Sequence, residues 1–109
     1  MRPDPISVSA AQLLRALVKR IALNMNRISI GRIRSVDWQS LTFTGERHEI
    51  SLRLAGPDPH LALEALRVEL RHAEWQLDGH IVAEILIVDE QVFDDGSITL
   101  EIEALTLCE

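Results

Sequence analysis

The chain has 109 residues, 47% of them apolar and 26% charged, a balance that excludes wholesale disorder and fits one domain, residues 1–109, with a modest core. No apolar run nears the roughly 20 residues of a membrane span, the N-terminus lacks a signal peptide's continuous apolar stretch, and the single cysteine, Cys108, excludes an internal disulfide. Cytoplasmic synthesis without a membrane partner is the expectation. The net charge of −6 is unevenly spread, with +6 on residues 1–34 and −12 on residues 35–109. Such polarity suits an anionic partner, attraction between copies of the chain, or folding of the basic third onto the acidic remainder.

In chain order, residues 1–8 carry two prolines and are expected to be flexible. Residues 9–25 predict a helix. Ser9 with Gln12 forms a capping-box pattern, and Leu14, Leu17, Val18, Ile21 and Met25 fall at helical spacing, with Arg15 and Lys19 off the stripe. Three short strands follow at about 28–36, 41–45 and 48–55, with a bulged two-strand hairpin as the alternative. In the first, Ile28 and Ile30 are out of phase with Ile33 across Gly31, which a β-bulge at the glycine would repair. "TGER", residues 44–47, is the expected turn.

The second helix is marked by Asp58 as a cap, Pro59 in its first turn and Gly79 past its end. Its apolar stripe is Ala62, Leu66, Leu70, Ala73 and Leu77. Two long strands, about 80–93 and 97–107, close the chain around the "DDGS" turn at residues 94–97. The order is α-β-β-β-α-β-β, an α+β domain with a mainly antiparallel sheet and two helices packed on it.

Chemical motifs are sparse. His80 and Glu84 lie about 13 Å apart along a strand and cannot share an ion. His60 with Glu64 and Glu69 with His72 each supply two ligands where a structural zinc needs four. Cys108, one residue from the C-terminus, has nothing to fix a base beside it. There is no G-x-S-x-G elbow and no glycine-rich phosphate loop. The arginines at 27, 32 and 34 lack interleaved aromatics, and the acidic remainder opposes nucleic acid. No catalytic site, cofactor, metal or specific nucleic acid is therefore expected.

The strand "GHIVAEILIVDE", residues 79–90, is apolar on both faces. Read with strict alternation, Ile81, Ala83, Ile85 and Ile87 share one face. Val82, Leu86, Val88, Leu105 and Leu107 line the other. Either the first helix covers that second face or it is an association surface. The candidate subunit interface is this set of five with Arg27, Arg32 and Arg34, a heterologous pairing of basic and acidic parts that can close into a ring.

"DW" at Asp37–Trp38, "ERHEISLRL" at 46–54, a helix, "LDGHIV" at 77–82, "DDG" at 94–96 and "EALT" at 103–106 follow one another in an order and spacing that resemble the tail-completion or tail-terminator proteins of long-tailed bacteriophages. Gene transfer agents carry the same type of protein. The resemblance covers residues 37–107. It implies a virion-assembly protein of α+β fold whose copies form a homo-oligomeric ring, commonly a hexamer. That ring caps the tail tube and docks to the head-tail connector, so the chain would end in a virion or tail-like particle. No catalytic residue comes with it. The chain departs from the pattern in its compact "NRISIGRIRSV", in "RLAGPD" without an aromatic, and in a last strand lacking a His-Gly pair. The alternative is a small intracellular oligomeric binding domain that uses its exposed sheet face for a ligand or protein.

Overall fold

Ser7 starts the structure: its hydroxyl accepts the Ala10 amide at 3.2 Å and its carbonyl the Ala11 amide at 2.9 Å, capping α1 (Val8–Ala22). The capping box expected at Ser9 and Gln12 does not form. Ser9 lies inside the helix on its sheet side, fully buried, and Gln12 reaches the Asp78 carbonyl and the His80 ring. The computed structural model describes residues 6–22, 27–72 and 75–109, apart from the side chains of 20–22, 27, 72 and 76. Expectations for residues 1–5, Met25 and Ala73, and for the side chain of Ile21, lie outside that description. Ala10, Leu13 and Leu17 centre the buried stripe, while Leu14 only borders it and Arg15 and Lys19 face solvent.

The next segment takes the two-strand form, β1 (Arg27–Gln39) and β2 (Thr44–Ala55), rather than three strands. The predicted bulge is present: pairing slips between Ile30 and Ile33, so that Ile30 faces Leu52 and Ile33 faces Ile50. The turn falls four residues earlier than "TGER". Ser40 closes it by donating its amide to the Phe43 carbonyl at 2.8 Å and accepting the Phe43 amide on its hydroxyl. Leu41 and Phe43 therefore stand exposed on the turn, and Gly45 is a strand residue for a packing reason. A Cβ there would collide with the Thr106 carbonyl oxygen and lie 3.0 Å from the Leu107 Cα of the neighbouring strand.

Asp58 caps α2 (Pro59–His72) as expected, its carboxylate accepting the Leu61 amide at 3.2 Å. Pro59, Ala62, Leu63 and Leu66 are its buried positions. The helix ends before Leu77, which belongs instead to β3 (Gln76–Leu77). Leu77 pairs with His80 across Asp78–Gly79, and Gly79 adopts φ 78°. A left-handed glycine in a two-residue connection favours the hairpin over further helix. β4 (His80–Val92) and β5 (Ile98–Cys108) then form the predicted long pair. Their turn is held by the Asp95 carboxylate, which accepts the Ser97 amide and hydroxyl at 2.9 and 2.6 Å and takes Arg53 at 2.9 Å. These Ser97 donors, followed by Arg53, keep the Asp95 carboxyl below its ordinary pKa.

All pairings are antiparallel, in the order β1-β2-β5-β4-β3. This is the α+β architecture expected. Both helices lie on one face, because Leu13, Leu17, Leu63 and Leu66 meet Ile50, Leu52, Leu54, Ile98, Leu100 and Ile102 in one cluster. Strict alternation on β2 and β5 puts every even residue from 48 to 54 and from 98 to 106 in that core. The two layers give a slab of 45 × 38 × 20 Å. No described helix is long and apolar enough to cross a membrane.

Candidate assembly surface

With both helices on one side, no described element packs on the opposite sheet face. Residues paired across an antiparallel ladder share a face, so the register draws this surface row by row. At the turn end, Trp38, Gly45, Leu107 and Ile81 stand side by side. Val36, Arg47, Leu105 and Glu84 follow, and then Arg34, Glu49, Glu103 and Leu86. Further along come Ser51, Glu101 and Asp89. The face is thus apolar at one end and of mixed charge over the rest, where acids outnumber the arginines. Glu101 accepts the Ser51 hydroxyl at 2.6 Å. An open depression of about 560 Å³ lies there between Gly31, Arg32, Glu49, Ser51 and Glu101.

β4 does not alternate strictly. Its pairing slips between Val82 and Glu84 and again between Ile87 and Asp89, so Ala83 and Val88 are bulge residues. Each bulge reverses the phase. Val82, Ile85 and Ile87 therefore pack against the core, while Ile81 and Leu86 belong to the open face. This corrects the strict-alternation reading of "GHIVAEILIVDE", and the five apolar interface candidates separate accordingly. Val82 turns to the helices. Val88 sits half exposed on a bulge, Leu86 and Leu107 are on the open face, and Leu105 lies there too with only 8% exposure between Arg47 and Glu84. Of the two alternatives for the second face, cover by the first helix is not what the structure has, since α1 shares its face with α2.

The arginine candidates lie on β1, an edge strand. Arg34 is on the open face opposite Glu49, Arg32 is in the bulge beside Gly31, and both are exposed. Arg27 pairs through its backbone with Ala55; its side chain is outside the described set. Neither Arg32 nor Arg34 forms an ion pair with a described residue. At the other margin, β3 covers only His80 and Ile81, which leaves β4 open from Val82 onward. That edge carries Glu84, Asp89 and Glu90, all exposed. Glu90 takes Arg67 of α2, while Glu84 and Asp89 make no ion pair with a described residue. Sequence reasoning missed these acids. Nothing local shows that β4, rather than β5, forms the margin.

A polar cluster beneath the helices also escaped the sequence reading. His48 is fully buried. Its Nδ1 lies 2.7 Å from Ser35 Oγ and its Nε2 2.8 Å from Thr106 Oγ1. The Ser9 hydroxyl donates to Glu46 Oε1 at 2.6 Å and lies 3.5 Å from the same Nε2. A neutral ring satisfies this arrangement, Nε2–H donating to Thr106 and Nδ1 accepting from Ser35. Burial holds the His48 pKa below its ordinary value; Glu46 opposes that shift and His80 adds to it. A serine, a histidine and a carboxylate in one cluster invite comparison with a nucleophilic triad. The geometry differs: the carboxylate binds the serine instead of orienting the ring, and Ser9 is closed to solvent. The cluster ties α1 to three strands. Among the described residues, no three His, Cys, Asp or Glu side chains gather as a metal site.

No protein-family model matches the chain, and no curated protein matches it. Among solved structures, a chain of "Virion of native gene transfer agent (GTA) particle" superposes with a TM-score of 0.59, covering 89% of this chain and 90% of that one at 17% identity. The fold is one that a gene transfer agent virion uses. At that identity the likeness extends to architecture alone.

Proposed function

We propose that the chain is a structural assembly protein of a phage-type particle. It acts as a tail terminator whose copies form a ring, capping the tail tube and docking to the head-tail connector. The observation that carries this reading is the near full-length likeness in fold to a chain of a gene transfer agent virion. The tail-terminator-like motifs between Asp37 and Thr106 support the narrower role. An open sheet face beside two open, oppositely charged edges suits a subunit that is completed by neighbours. The partners are further copies, a tail tube protein and a connector protein. The protein would be made in the cytoplasm and end in the particle. No residue is assigned a catalytic role.

The test is tail-tube polymerisation in vitro, using the tube protein encoded nearest this gene, with and without the purified chain. Tubes that stop short and carry a ring at one end, seen by electron microscopy, are the expected result. Tubes of unaltered length with bare ends would contradict the reading. A second reading, a small oligomeric binding domain, draws on the depression lined by Arg32, Glu49, Ser51 and Glu101. It becomes the better account if tubes are unaffected while the protein still self-associates.

A further inference from the structure

We propose that copies join head to tail through the two sheet margins, β1 of one copy lying against β4 of the next. This inference rests on the ring reading above and says which surfaces would close the ring. A sheet edge exposes unpaired N–H and C=O groups, a ready template for another chain, and single-chain proteins blunt such edges with charges and bulges. Here the blunting has a sign. The β1 margin carries Arg32 and Arg34, with Asp37 as the strand's single acid, and the β4 margin carries Glu84 and Asp89; these two arginines and two β4 acids make no ion pair with a described residue. Two β1 margins repel, as do two β4 margins, and only the unlike pairing is attractive. Opposite charges thus select a heterologous contact over an isologous dimer, and heterologous contacts generate rings or filaments.

The bulges limit how far the backbones can pair. β1 is interrupted between Ile30 and Ile33, and β4 after Val82 and after Ile87. β1 stays regular from Ile33 to Gln39, but beyond Val82 β4 offers only the short runs Glu84–Ile87 and Asp89–Val92, which set the limit. The contact is therefore led by side-chain charge, salt-sensitive and reversible, rather than a long continuous ladder.

The experiment reverses each margin separately. Variants Arg32→Glu with Arg34→Glu, Glu84→Lys with Asp89→Lys, and all four together are compared with the native protein by sedimentation velocity at low salt. Circular dichroism first establishes that each is folded. Each double variant should associate roughly tenfold or more weakly. The quadruple variant, with complementary margins restored, should assemble again, as should an equimolar mixture of the two double variants. Native-like assembly of either double variant would overturn the assignment to these margins and leave the ring reading intact. Failure of both the quadruple variant and the mixture would overturn it too. A native protein that stays monomeric throughout would also overturn the contact, while the tube assay still decides the ring reading independently.

Discussion

Gly45 and His48, three residues apart on β2, show how much one side chain decides here. Any Cβ at Gly45 meets backbone of β5 rather than a movable side chain, so Gly45→Ala must push two central strands apart. Urea unfolding should show a loss of about 1–3 kcal/mol, the usual range for overpacking; an unchanged midpoint would mean that the strands yield freely. His48 makes stability depend on pH. The fold keeps the ring neutral, with a pKa below the ordinary 6.5. As pH falls through 6.5 the unfolded chain takes a proton that the folded chain refuses. Stability therefore declines from about pH 6.5 down to the lower folded pKa, and this contribution is flat above that window. Thermal melts of the native protein and His48→Gln between about pH 7 and pH 5 should differ in slope, the variant being flatter. Parallel slopes would refute the role given to His48.

At the level of elements, most of the architecture was legible because its signals are local. The Asp58–Pro59 start of α2, the bulge at Gly31 and the acidic turn before β5 each follow from a residue's own backbone chemistry. The misplacements share another cause. Ser9 looked like a cap, but its burial and its bond to Glu46 depend on where β2 lies in space, and Ser7 does the capping. Ser7→Ala should cost about 1 kcal/mol, read by urea unfolding; no loss would return the cap to another residue. Ala83 and Val88 look like ordinary strand residues, and their bulges appear only when β4 is laid against β5. Strict alternation therefore put Val82 on the wrong face. Core positions follow strand periodicity on β2 and β5, whereas the buried stripe of α1 runs through Ala10, Leu13 and Leu17 instead of Leu14 and Val18. Leu100→Ala, at a fully buried site, should cost about 2–5 kcal/mol, and a smaller loss would mean that the core closes over the gap.

For the whole molecule, the charge split of the sequence becomes a geometric fact. The basic third does not simply fold onto the acidic remainder: Arg32 and Arg34 stand on one open margin, and Glu84 and Asp89 on the opposite one. The sequence displays the imbalance but not the strand order that sends its two signs to opposite edges. On the proposal above, this arrangement, with a sheet face between the margins on which no described element packs, is what joins one copy to the next. The most direct measurement is its solution mass, by light scattering on a sizing column over a concentration series at low and high salt. A discrete multiple of 12.3 kDa that grows in with concentration and dissolves with salt is the predicted result. A mass fixed at that of one chain, at every concentration and at low salt, would contradict it.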